Sequence, residues 1–217
     1  MKAKKNLADS MALIGLGING TLNNPEIQNR MIPFGYTKEV MNIGLAKHKG
    51  TETTIIAHRR EYGEQYTAGE ASDALWDAAY GEYKTILTLS RVALKDKRGA
   101  LHSLRATGTR NRSLTGFIED ARMLYNNLLS QPEYLAAAGK FGLTKTRLEA
   151  AIQQIDELAH ANESYFREKG EAQDATIKRD ALFDDLYNWY SDFRAVARLA
   201  LTDSPQLLEE LGIVVKR

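Results

Sequence analysis

Phe34-Gly35-Tyr36-Thr37-Lys38 recurs further along the chain as Phe141-Gly142-Leu143-Thr144-Lys145. The offset is 107 residues, and laying residues 1–107 over 108–214, without a gap, makes 26 of the 107 pairs identical. A fixed-period self-match of this kind is the mark of a repeated structural unit. The chain is therefore read as one helical repeat over 1–107 and a second over 108–217. The two are expected to pack as a single domain with a four-helix core, related by a pseudo-two-fold.

Working outward, the pentapeptide reads as a helix start. Thr37 and Thr144 are suited to accept an orphan backbone N–H at an N-cap, and the preceding Phe-Gly supplies a turn and an apolar plug. Upstream, Leu7, Met11, Ile14, Ile18 and Leu22 fall at helical spacing over 7–23, and Leu114, Ile118, Ala121, Tyr125 and Leu128 do so over 114–130. Both segments end before the repeated pairs Pro25-Glu26 and Pro132-Glu133, where a proline stops one helix and suits the first turn of the next.

Downstream, no proline occurs from Lys38 to Asp96 or from Lys145 to Asp203. Gly63 and Gly170, each followed four residues later by a capping residue (Thr67, Asp174), predict a break, so that each stretch folds as a helical hairpin. The rival is an unbroken helix. Ile155, Phe183, Tyr190 and Ala197 keep one seven-residue register across Gly170, but Asn162, Lys169 and Thr176 interrupt that seam. The hairpin is the expectation, and the whole is an all-α, internally duplicated, antiparallel helical bundle.

Composition agrees with helix: four prolines and abundant Ala, Leu, Glu, Lys and Arg. A formal net charge of +1 gives no general field for nucleic acid or an anionic membrane. The absence of cysteine excludes disulfides, thiolate catalysis and Cys-ligated metals. Nothing approaches a membrane span of about 20 apolar residues. The basic start and the apolar run Met11–Ile18 faintly resemble a signal peptide, but Asp9 interrupts the approach and the run is short. The segment is read as a helix of the fold. Localisation stays open, with the cytoplasm slightly favoured.

Four residue groups could carry chemistry. Glu157 and His160 have the Glu-x-x-His spacing of carboxylate-bridged metal centres, and His58 with Glu61 is a reversed pair. Neither histidine recurs in the other copy, so both pairs read as surface groups and no metal or cofactor is assigned. Glu61, Glu64, Glu168 and Glu171 do recur, and read as a solvated turn. Asp77, Tyr80, Tyr83 and Arg91 recur as Asp184, Tyr187, Tyr190 and Arg198. That stripe reads first as core tyrosines bonded to Asp or Arg, and is also where a pocket would be sought. Arg105, Arg110 and Arg112 form a basic linker that could touch phosphate or a partner. The glycines of Gly15-Leu16-Gly17-Ile18-Asn19-Gly20 do not make a phosphate cradle, since no strand precedes them.

What recurs is what a fold needs, and nothing reactive recurs with it. The expectation is a non-enzymatic structural or interaction protein that associates with itself. The alternatives are a metal- or small-molecule-binding bundle enzyme or carrier, and a nucleic-acid adaptor acting through the basic linker.

Overall fold

The computed structural model describes residues 6–109 and 113–214. Among them are the helices α1 (Leu7–Asn23), α2 (Pro25–Met31), α3 (Lys38–Ala93), α4 (Arg98–Ser103), α5 (Leu114–Ser130), α6 (Pro132–Gly139), α7 (Lys145–Ala200) and α8 (Pro205–Glu210), with a 3-10 turn at Ile32–Phe34. No strand occurs among the described residues, so the chain is all-α. No helix is long and apolar enough to cross a membrane.

The expected hairpins do not form. α3 and α7 each run 56 residues without interruption. Ending a helix on glycine requires the left-handed conformation. Among the described glycines only Gly35, Gly108, Gly142 and Gly212 adopt positive φ, so Gly63 and Gly170 remain helical. Thr67 does not cap a new helix; its hydroxyl donates back to the Gly63 carbonyl at 3.0 Å, as mid-helix threonines do. One glycine costs a helix only about 1 kcal/mol. That is too little to break a segment flanked by strong helix formers such as Glu, Gln, Arg and Lys.

The chain divides into two compact units that differ from the two sequence copies. One takes residues 6–62 and 171–214, the other Gly63–Gly170. Each of the long helices therefore contributes one part to each unit.

The first unit contains α1, α2, the start of α3, the end of α7, and α8. Its core holds Met11, Ile14 and Ile18 from α1, Ile27 and Met31 from α2, Leu186, Tyr190 and Phe193 from α7, and Leu207, Leu208 and Leu211 near α8. The glycines of α1 set how closely it approaches. A Cβ on Gly17 would lie 3.0 Å from the Tyr190 ring and 3.2 Å from that of Phe193, so a larger residue would push α1 off α7. Asn6 and Asn24 cap α1 and α2 with their side-chain oxygens. His48, buried on α3, has Nε2 3.0 Å from the Met11 carbonyl.

The second unit contains the rest of α3, α4, α5, α6 and the start of α7. Its core gathers Tyr83, Ile86 and Leu87 from α3, Phe117, Leu124, Tyr125 and Leu128 from α5, and Leu148, Ile155 and Leu158 from α7. Arg147 holds Glu82 through Nε at 2.7 Å and Nη2 at 3.1 Å. Buried Asp120 is paired with Arg105 at 2.9 Å.

The pentapeptide forms a tight turn in each unit. Gly35 (φ 86°) and Gly142 (φ 82°) are left-handed. The following N–H groups reach back to the Met31 and Ala138 carbonyls, both at 3.3 Å. Thr144 Oγ1 accepts from the Arg147 N–H at 3.2 Å. The expected plug is displaced by two positions. Phe34 and Phe141 are exposed, while Leu143 is fully buried and Tyr36 packs edge-on against Trp189 and Phe193. The left-handed glycine reverses the chain, so the residue after it faces inward.

Candidate functional site

The first unit carries an open cleft of about 1040 Å³ between α1, the end of α7 and the chain after α8. α1 presents Leu7, Ser10, Leu13 and Ile14 to it, and the C-terminal stretch presents Gly212, Ile213 and Val214. Arg179, Asp180, Phe183, Asp184, Tyr187, Tyr190, Arg194 and Arg198 come from α7. Apart from the adjacent pairs 179/180 and 183/184, they follow one another by three or four residues and so keep to one face of the helix.

Several residues lining the cleft lie in sequence register with an aromatic cluster of the second unit. In the second unit Phe117 on α5 sits among three aromatic rings of α3, with centroids 4.8 Å from Trp76, 5.6 Å from Tyr80 and 5.3 Å from Tyr83. The residues 107 positions away from Trp76, Tyr80 and Tyr83 are Phe183, Tyr187 and Tyr190, and the one matching Phe117 is Ser10. All four line the first unit's cleft. A serine where the other unit has a phenylalanine leaves a space that the aromatic wall does not close. A smaller space of about 390 Å³ lies at the corresponding end of the second unit, lined by Gly69, Ser72, Asp73, Trp76, Leu114, Asn162 and Tyr165.

The cleft is electrically graded along α7. At one end Arg179 donates from Nε (2.8 Å) and Nη2 (2.6 Å) to Asp180, and its Nη1 lies 2.9 Å from Nε2 of His58. Burial and the Arg179 cation hold the His58 imidazole below its ordinary pKa. Asp184 is exposed on the next turn. At the other end Tyr190 donates its hydroxyl to the Leu13 carbonyl at 3.2 Å, and the Arg194 guanidinium lies 5.5 Å from the Tyr190 ring centroid. The Arg194 Nε is buried and has no hydrogen-bond partner among the described residues. Burial raises the Tyr190 phenol, while the cations of Arg194 and Arg198 pull it back down. The balance leaves the phenol above its ordinary value.

The recurring stripe thus has two fates. Asp184, Tyr187, Tyr190 and Arg198 line the cleft. Tyr80 and Tyr83 pack on Phe117, Asp77 is exposed, and Arg91 Nε donates to the Ala106 carbonyl at 2.7 Å. Repetition alone could not separate these sets; the Ser10–Phe117 difference does. Sequence reasoning missed Ser10, Arg179 and Arg194 as site residues, and the signal available for Ser10 was its mismatch with Phe117.

The metal candidates lie elsewhere. His160 is exposed with Nδ1 3.6 Å from Glu163, and Glu157 is exposed nearby on α7. His58 faces Arg179, a cation and donor that competes with any metal for its ring nitrogen. Glu61 is ion-paired with Arg60 at 2.7 Å. Of the basic linker, Arg105 is held by Asp120, while Arg110 and Arg112 lie outside the described residues.

No known protein family, curated protein or solved structure matches the chain.

Proposed function

We propose that this is an internally duplicated helical protein that works by binding, with the first unit's cleft receiving a small guest that has an apolar body. One observation carries the reading: Ser10 stands where Phe117 closes the other unit, and the space is lined by Phe183, Tyr187, Ile14 and Ile213. A concave, mostly apolar wall with a few polar groups at its ends is the usual form of a small-molecule site. The volume is at the upper end of the usual range, about 300–1,000 Å³.

Support for duplication comes from the element boundaries. α1 and α5 both span 17 residues, α3 and α7 both span 56, and α4 and α8 both span six. Each pair starts 107 residues apart. Duplication gives a reason for the asymmetry: once two similar units exist, one can keep a closed core while the other gives up a core ring for a guest.

The test uses a neutral dye that fluoresces in apolar surroundings, N-phenyl-1-naphthylamine, with the full chain. The wild type should enhance its emission saturably, and Ser10→Phe should abolish the enhancement without lowering the unfolding temperature. If the wild type gives no saturable enhancement, or Ser10→Phe binds as well, the reading is wrong. Should Ser10→Phe fail to fold, Ser10→Leu supplies a smaller filling of the same space and should weaken binding.

A further inference from the structure

We propose that the guest is an amphipathic anion, with a carboxylate or phosphate head held by Arg194 and Arg198 and an apolar tail lying along Phe183 and Tyr187. This rests on the binding reading above and adds the ligand's charge and its orientation.

The cleft holds three arginines and two aspartates, but they do not cancel locally. Asp180 is engaged by Arg179 through two hydrogen bonds. Asp184 precedes Arg194 by ten residues, about 15 Å along a helix. That exceeds the screening length of about 8 Å at physiological ionic strength. The end of the cleft near Tyr190 is therefore positive, whatever the other end carries.

Arg91, the residue in register with Arg198, is tied to a backbone carbonyl, and the residue in register with Arg194 is Leu87, a core side chain. The second unit thus needs neither position as a free cation. Arg194 instead lies over the Tyr190 ring, its Cζ 5.5 Å from the centroid, a cation–π contact. Its buried Nε carries a hydrogen with no acceptor. Two arginines one helical turn apart, the first already oriented by an aromatic ring, match a head with two or three oxygens.

A helix-end explanation also exists, because cations near a C-terminus are favoured by the helix dipole. It accounts for the charge of Arg194 and Arg198. It does not account for Arg194 lying over the Tyr190 ring, nor for the adjoining apolar wall.

The experiment competes the bound neutral dye with decanoate, decyl phosphate and decanol, each below its micelle concentration. Both anions, or one of them, should displace the dye at concentrations roughly ten-fold lower than decanol. Which anion does so identifies the head as carboxylate or phosphate. In the Arg194→Gln/Arg198→Gln double variant, the ratio of anion to decanol potency should fall toward one. Arg198→Gln alone, at an exposed position, should reduce the ratio partway and guards against misfolding of the double variant. If decanol competes as well as the anions in the wild type, or if the preference survives the double variant, the anion proposal is overturned while the cleft reading stands. If the dye itself does not bind, both fall together.

Discussion

The indole of Trp189 lies so close over Gly44 that a Cβ added at that glycine would overlap Cη2 of the ring. The contact locks the start of α3 to the end of α7 within the first unit. Trp189 also stacks on Phe193 with centroids 5.8 Å apart, so the ring has little room to retreat. Gly44→Ala should cost about 1–3 kcal/mol, the usual penalty for overpacking a filled site. Gly50→Ala, where an added Cβ meets nothing within 4 Å, should stabilise α3 by about 0.5–1 kcal/mol. Urea unfolding of both variants gives the comparison, and similar effects from the two would refute the socket.

The second prediction concerns the continuity of α3 and α7. A Cβ on Gly63 or Gly170 would meet nothing within 4 Å, and neither has positive φ. Each Gly→Ala change should therefore stabilise by about 0.5–1 kcal/mol and raise helical circular dichroism slightly. A turn at these glycines would give the opposite result, because alanine is strained in the left-handed conformation that ends helices. Loss of stability in both variants would restore the hairpin.

These cases show what was legible beforehand. The spans 7–23 and 114–130 could be read from apolar spacing and the prolines after them, because those signals are local. The fate of Gly63 was not local. A glycine beside a threonine is compatible with a stop or with continuation, and the choice lies with the packing of the whole 56-residue helix. The stripe Asp184, Tyr187, Tyr190 and Arg198 was visible because it repeats. Its position in a cleft was not, because that depends on Ser10, one hundred and seventy-seven residues before Tyr187, and on the absence of a ring. Matching positions 107 residues apart emphasises what they share, whereas Ser10 and Phe117 are a position at which they differ.

The third prediction exchanges that position. Phe117→Ser removes a ring fully enclosed by Trp76, Tyr80 and Tyr83, and should cost about 3–5 kcal/mol, as large-to-small aromatic changes in cores do. Ser10→Phe should be neutral or stabilising, since the ring enters existing space beside Phe183 and Tyr187. Thermal unfolding of the two single variants measures the contrast. Equal losses from both would mean that the first unit has no room for the ring and that the cleft is not a vacated aromatic site.

The last prediction is a pH dependence centred on His58. Its Nε2 lies 2.9 Å from the Arg179 Nη1, an arrangement that suits the neutral ring. Burial and then Arg179 lower its pKa, Asp180 opposes them, and Arg59 adds to the lowering. In the unfolded chain the imidazole returns toward its ordinary value of 6.5. As pH falls, the unfolded state then takes up the proton first, and stability must decline. The contribution from His58 is thus present above pH 6.5 and lost as pH falls through that value and on toward the lower folded pKa. His58→Gln keeps a side-chain acceptor for Arg179 but does not titrate. Urea midpoints measured at about pH 7.5 and about pH 5.5 should drop more for the wild type than for His58→Gln. Equal drops would show that Arg179 and the imidazole are not coupled in solution.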